Sequence, residues 1–405
     1  MKSHQTGRSS RLAVVPSEPM FAYDRAGYGR MMEGYFNPGG MFDEVFVLSP
    51  RETGRTQNGS LHIWGVSEAD FVDTLHDIKP KVVRGYGGYW ACDLVCSRRL
   101  PDIPVVVSVH DTNVELLHGS LRLADMVICM SQAVAEATLR IGVPEDRIRI
   151  LPNRVDLNLF KPNAEPSFQE QFRARFPGGR RLLHVGRKVE QKNLDTVIQA
   201  LAALPSHYVC IFVGGGDVDQ YKRIATGAGV SDRCFWVDSV PNEELSSWYS
   251  AADCMCTPSR WEGFGIVFIE AAACGAPIVT SNIAPMNEYL THGVSAHLVD
   301  HFEDPAALAV AVEKVCEDEG YKAMIGKGAR TASLVFAKEK VDALEGQLYQ
   351  EAIALGPISK SKQLRSLALR TQLLVNRRIA TSTARRWAVS IKRILKHILA
   401  RNSHT

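Results

Sequence analysis

Two carboxylates, Glu262 and Glu270, stand eight positions apart in the stretch SRWEGFGIVFIEAAACGAPIVTS, among glycines and apolar residues. Glu270 is the only polar side chain in IVFIEAAAC, and a carboxylate in such surroundings needs a partner or a ligand to offset its desolvation. The stretch reads as a loop through Gly263, Phe264 and Gly265 that enters a helix of about residues 265–274, with Gly275 and Pro277 as stop signals. Glycines in that loop let backbone amides approach a ligand, and the helix N-terminus favours negative charge. At ~1.5 Å of rise per residue the two carboxylates lie about 12 Å apart along the axis. They cannot grip one atom together; they suit an extended ligand touched at two places. On spacing alone, an arginine partner for Glu270 or a capping role for Glu262 serves as well.

A second cluster, HVGRKVEQKNLDTVIQAL, sets Gly186 at a turn and then Arg187 and Lys192 near the start of another helix. Taken singly, each cation is an ordinary solvated charge. Two cations beside a helix N-terminus are suited to a diphosphate.

The elements that must position these residues are β-rich runs alternating with helical patterns. RLAVV, EVFVLS, KVVRGYG, PVVVSVH and MVICMS form one series, and RLLHVG, YVCIFVGGG, CFWVDS, CMCTPS and PIVTS a second. Such alternation predicts parallel sheets flanked by helices. With 405 residues, two cores are expected, because a single core stops growing at about 250–300 residues. LPNRVDLNLFKPNAEPSFQEQF, rich in Pro and Asn, reads as the linker between them. Ligands of doubly wound sheets sit beyond the carboxyl ends of the strands, which selects His110 after VVVSV, the VGRK turn, the VGGG turn and the Glu262 stretch.

GRKVEQKN, VGGG, WYSAADCMCTPSRWEGFGIVFIEAAACGAPIVTS and ILPNRVDLNLFKP resemble, in order and approximate spacing, the glycosyltransferase family four, whose members are retaining enzymes of the GT-B fold. The resemblance is strong from about residue 148 to 337 and looser upstream. It implies an α/β chain of two Rossmann-like doubly wound parallel-sheet domains facing across a cleft. Residues 1–158 would form the N-terminal acceptor domain, 159–335 the nucleotide-sugar donor domain, 336–356 a closing helix that returns to the first domain, and 357–405 a basic amphipathic tail.

By the same likeness Glu262 opens the family's Glu-x7-Glu motif and contacts the donor sugar, helped by the backbone of Gly263, Phe264, Gly265 and Ile266. Glu270 closes the motif on the nucleotide ribose. Arg187 and Lys192, beside Gly186, neutralise the diphosphate, and His110 stands beside the transferred sugar. The implied reaction is hexosyl transfer with retention to a saccharide or lipid-linked acceptor in surface polysaccharide or glycolipid assembly, with mannose from GDP-mannose favoured weakly. No cofactor and no catalytic metal are implied. Asp217 and Asp219 match an Asp-x-Asp metal site only superficially and read as a helix start. DRAGYGRMMEG resembles a glycine-rich loop that would bring Gly27 or Gly29 near phosphate or acceptor, although an ordinary turn serves as well.

The chain departs from the family at Asn153-Arg154-Val155-Asp156, where a glycine usually stands in place of Arg154. A bulky cation there puts the local backbone and any acceptor contact in question. Asp238 stands where many relatives have glycine, near the expected base-binding edge, so the likeness does not carry over a nucleobase.

Composition bounds the rest. Apolar residues at 45% and charged residues at 22% are those of a globular protein. The last 49 residues hold 12 Lys and Arg and no Asp or Glu, leaving the remainder at −9. SKQLRSLALRTQLLVNRR and RRWAVSIKRILKHILAR place apolar residues on helical stripes with basic residues around them, which suits an anionic membrane surface through residues 360–401. Docking on a protein surface is the rival reading, and no nucleic-acid module is present. Nine scattered cysteines read as reduced core residues, and no run approaches a membrane span. A cytoplasmic location is expected, peripheral on the membrane's cytoplasmic face. The competing functions are a sugar-nucleotide epimerase or hydrolase of the same architecture and a non-catalytic sugar-nucleotide-binding subunit.

Overall fold

The structure is a computed structural model that describes residues 10–25, 29–87, 89–162 and 165–356. Gly27 and the basic tail after residue 356 lie outside the described residues. Gly29 opens a short 3-10 turn against Asp24.

Fourteen strands are found among the described residues. The first eight are β1 (Arg11–Val15), β2 (Glu44–Ser49), β3 (Arg55–Asn58), β4 (Leu61–Gly65), β5 (Val82–Tyr86), β6 (Val105–Val109), β7 (Met126–Cys129) and β8 (Ile148–Ile150). They form one sheet in the order β3-β4-β2-β1-β5-β6-β7-β8. The second sheet contains β9 (Arg180–Val185), β10 (Tyr208–Val213), β11 (Cys234–Val237), β12 (Cys254–Cys256), β13 (Ile278–Ser281) and β14 (His297–Val299), in the order β11-β10-β9-β12-β13-β14. Strands such as β6 and β10 are buried along their whole length. Helices cover both faces of such a sheet, so the central strands read as unbroken apolar runs.

All pairings are parallel except β3 with β4. Sequence reading missed this hairpin because Arg55-Thr56-Gln57-Asn58 is polar and exposed throughout. An edge strand needs no apolar face on its open side, and a polar one resists pairing with other chains.

Each sheet reverses direction beside its first strand. In the second sheet β9 lies between β10 and β12, so the segment after β9 faces the segment after β12 across a crevice. In the first sheet β1 lies between β2 and β5, and the ends of β5 and β6 open beside each other.

The helix Lys338–Ala354 crosses back to the first sheet, where it packs on β5 and the Pro38–Gly40 turn. Val155 bonds both to the Phe336 carbonyl and to the Lys338 amide, each at 2.9 Å, so linker and helix start are tied together. A buried charge network fills the junction. Arg84, 1% exposed, reaches Glu345 at 3.2 Å and donates to Ser108 Oγ at 2.6 and 3.0 Å, with the Tyr86 and Tyr349 rings on either side. Arg154 pairs with Asp342 and Glu345 and stacks on Tyr35. Arg154, at the position where the resemblance leads one to expect glycine, thus holds the linker to the returning helix.

All nine cysteines are buried free thiols, Cys92 and Cys96 among them. Among the described residues no helix is long and apolar enough to cross a membrane.

Candidate functional site

A cleft of about 550 Å³ opens between the two sheets and is lined from both sides. The residues expected to hold the donor border it: His110 from the first sheet; Gly186, Arg187 and Lys192 after β9; and Glu262, Gly263, Phe264, Gly265, Ile266 and Glu270 after β12. The reversal beside β9 is what brings the last two groups together from 70 residues apart.

Lys192 and Glu262 form an ion pair in which neither side chain is more than about a tenth exposed. Gln191 adds a contact to the other Glu262 oxygen at 3.4 Å and donates to the Trp261 carbonyl at 2.8 Å. Lys192 is set in place by His184, a fully buried residue of β9 whose Nε2 lies 2.9 Å from the Lys192 carbonyl. A carbonyl can only accept, so that nitrogen carries the proton. Burial keeps His184 neutral, lowering its pKa to about 4. Arg187, by contrast, is exposed and has no ion-pair partner among the described residues. The two cations expected to share a diphosphate therefore differ: Lys192 is committed to Glu262 and Arg187 is uncommitted.

Lys188, between them, was not singled out from the sequence. It is buried and donates to the Gly214 and Val237 carbonyls, the latter at 2.9 Å, so it staples the ends of β9, β10 and β11 beneath the cleft. Desolvation lowers its pKa against the opposing pull of Asp238, which stands exposed on the cleft wall. Arg260, two residues before Glu262, pairs with Asp195 at 2.8 Å and Glu303 at 2.7 Å and serves the loop.

Gly265 caps the helix Ile266–Ala273 in a left-handed conformation, φ 81°, which disfavours a side chain. The Ile266 and Val267 amides at its start have no intrahelical acceptor and border the cleft at the positive end of the helix dipole, while Phe268 donates to the Gly265 carbonyl at 3.0 Å. Gly263 has a function the sequence did not disclose. A Cβ there would lie 1.7 Å from the His110 carbonyl oxygen, so the absence of a side chain lets the two sheets meet. Ser131 donates to the Gly263 carbonyl at 2.8 Å, and the Glu288 carboxylate accepts from the amides of Gln132 and Ala133, both at 2.8 Å. These contacts join the second sheet's loops to the first sheet's helix Gln132–Arg140.

Glu270 is buried with no cation beside it among the described residues; the Tyr249 hydroxyl donates to it at 3.2 Å. The arginine partner considered from the sequence is not found. Burial pushes its carboxyl up to about 8, against the smaller pull of Tyr249. His110 immediately follows β6 with its ring against Gly87, whose φ is 48°. Desolvation, helped by the Arg84 charge, lowers its pKa to about 4. Asp217 accepts from the Asp219 amide at 2.9 Å at the start of a helix. No cluster able to hold a metal is found among the described residues.

The cleft thus offers a free cation and helix amides at one part, an ion-paired carboxylate beside a neutral histidine at another, and on the helix Ile266–Ala273 a buried carboxyl with no cation beside it among the described residues. Residues 167–332 match the family model described as glycosyl transferases group 1, and residues 41–159 match glycosyltransferase family 4. A D-inositol 3-phosphate glycosyltransferase of Xylanimonas cellulosilytica is 31% identical over 245 residues, which cover 58% of each chain. Sucrose-phosphate synthase from Thermosynechococcus elongatus superposes with a TM-score of 0.69 at 20% identity, covering 86% of this chain and 100% of that one. Anabaena HepE, solved with UDP and glucose, gives 0.69 at 20% identity over 85% and 100%.

Proposed function

The chain belongs to glycosyltransferase family four and has the GT-B fold, and on that basis we propose that it transfers a hexose, with retention, from a nucleoside diphosphate to a hydroxyl of a saccharide or lipid-linked acceptor. The observation that carries this reading is the convergence of Arg187, the Lys192–Glu262 pair, the Ile266–Ala273 helix N-terminus and Glu270 on one cleft. HepE's complex with UDP and glucose is consistent with a sugar nucleotide there.

In this reading Arg187 and the helix amides stabilise the charge that accumulates on the departing diphosphate, an electrostatic contribution that often dominates catalysis. Glu262, fixed by Lys192, holds sugar hydroxyls, and Glu270 receives the ribose. His110, neutral at pH 7, hydrogen-bonds the sugar without adding charge beside the leaving group. As the anomeric carbon–oxygen bond to phosphate breaks, the acceptor oxygen bonds to that carbon from the same face, and its proton passes to the leaving phosphate oxygen. A glycosidase-like double displacement needs two carboxyl groups about 5–5.5 Å apart and free to act. Glu262 is tied up with Lys192, which favours the single-face route.

We propose mannose from GDP-mannose as the first donor to try, UDP-hexoses next, and surface polysaccharide or glycolipid assembly as the setting. The basic tail would hold the chain on the cytoplasmic face of the membrane; a chain ending at residue 356 should then lose binding to anionic liposomes. A thermal-shift screen of nucleoside diphosphates identifies the base, since a ligand that binds the folded state raises its melting temperature according to its affinity. Consumption of the matching sugar nucleotide with an acceptor panel tests transfer. Release of free sugar, or binding without turnover, would transfer the weight to a hydrolase or a binding subunit.

A further inference from the structure

Beside His110 a second cavity of about 230 Å³, lined by neither Lys192 nor Glu262, opens in the first domain. His110 and Asp111 line both this cavity and the donor cleft, so a group seated in one lies against the other. Its walls are aliphatic: Val107, Val109, Leu116, Leu117 and Leu121, with Tyr89 at the rim. Tyr89 and Leu116 are 54% and 52% exposed.

Several of the polar atoms beside these walls are already engaged. Ser108 Oγ accepts twice from Arg84, the Cys92 thiol lies 3.4 Å from Ser120 Oγ, and Asp111 accepts from the Asn113 amide at 2.8 Å. Among the described residues lining the cavity there is a carboxylate, Asp111, and no Lys or Arg. A phosphorylated polyol, such as the relative's inositol phosphate, would meet repulsion and no counter-charge there. A bare sugar could regain hydrogen bonds only towards His110, Asp111 and the Tyr89 rim, and its remaining hydroxyls would lose water against aliphatic walls.

Building on the transferase reading, we propose that this cavity receives an aliphatic chain of the acceptor, next to the hydroxyl that His110 faces. The substrate class is an alkyl- or lipid-linked glycoside, with its chain lodged among Leu116, Leu117 and Leu121 and its hydroxyl directed at the donor sugar. Each methylene buried there adds about 0.8 kcal/mol, about a fourfold gain in affinity, until the cavity is filled.

The test uses the full chain loaded with GDP or UDP and measures calorimetric binding of methyl, butyl, hexyl and phenyl glucosides and mannosides below their micelle concentrations. Affinity should rise about fourfold per methylene up to roughly hexyl, and hexyl should bind more tightly than phenyl. Leu116→Asn changes an exposed side chain, so the fold is kept. It should weaken hexyl binding at least fivefold and leave methyl glycoside and nucleotide binding unchanged. Equal binding of methyl and hexyl glycosides, tighter binding of phenyl, or displacement of the hexyl glycoside by inositol phosphate would each overturn the assignment. Sugar-nucleotide consumption is measured in parallel. Chain-length-dependent binding without consumption removes the transferase reading and leaves the cavity's chemistry standing, whereas consumption with no chain-length dependence removes only the cavity assignment.

Discussion

Gly263→Ala asks the sharpest question of the cleft. The added methyl would sit 1.7 Å from the His110 carbonyl oxygen and 2.7 Å from its carbon. Both are backbone atoms, so no rotamer change relieves the clash. The loop and His110 must part by at least about 1 Å, a displacement that can cost roughly 10²-fold when it misaligns reacting groups. Glu262 precedes the substituted residue and His110 is the group pushed back, so both sides of the proposed sugar site move. Arg187 follows β9 while Glu270 and the amides belong to the helix Ile266–Ala273, so all stay on the second sheet's side and are not parted from one another. The expected result is a fall of about 10²-fold in kcat/KM for transfer, with nucleoside diphosphate affinity changed less than threefold. Steady-state kinetics with the matched donor and titration calorimetry with its nucleoside diphosphate separate the two quantities. Gly215→Ala is the control, since Gly215 borders the same cleft and its Cβ would meet nothing within 4 Å. Unchanged kcat/KM in Gly263→Ala would refute the reasoning that the sheets must meet there for transfer.

Four further outcomes follow from the charges. Lys192→Met leaves Glu262 buried without its cation and should cost about 3 kcal/mol, read by urea unfolding; Lys192→Met/Glu262→Gln should regain most of that stability and none of the activity. At pH 7 the empty site holds Glu270 protonated, since its pKa is about 8, and ribose hydroxyls that donate to it favour the ionised form. Nucleotide binding should therefore release protons at pH 7, with affinity rising up to about pH 8 and levelling above, as calorimetry in buffers of different ionisation enthalpy would reveal. In the unliganded chain the same group takes up a proton on folding between its ordinary 4.5 and about 8, so its contribution to stability falls as pH rises through that window. Arg154→Gly restores the family's usual residue but strips a cation from Asp342 and Glu345; we expect a loss of about 3 kcal/mol in unfolding free energy, with donor affinity unchanged.

The residues of the site were legible where chemistry and chain position coincide. Glu262, Glu270, Arg187 and His110 each follow a strand or enter a helix, and strand-end positions can be read from apolar runs and glycines. Their pairing could not be read. Lys192 meets Glu262 because β12 inserts beside β9, and strand order is a property of the whole sheet. Lys188 and Arg187 are adjacent in sequence, and nothing local says which one turns under the sheet and which stays in solvent. His184 looked like one more residue of a buried strand, and its bond to the Lys192 carbonyl depends on the turn between them. Arg154 seemed a disturbance because its carboxylate partners lie on a helix far along the chain. The β3–β4 hairpin escaped notice because an exposed edge does not need the apolar pattern by which strands are recognised.

The return of the helix Lys338–Ala354 to β5 has a consequence for synthesis. Domains ordinarily fold as units in the order they leave the ribosome. Here Arg84 emerges early and is buried in the finished sheet, yet its carboxylate, Glu345, belongs to the last described helix. At roughly 5–20 residues per second, the interval is on the order of tens of seconds. During it the first sheet carries an unmatched guanidinium and an uncovered patch around Tyr86. The first unit to be translated is thus among the last to be completed, and a truncated nascent chain would expose a surface that quality-control machinery can recognise.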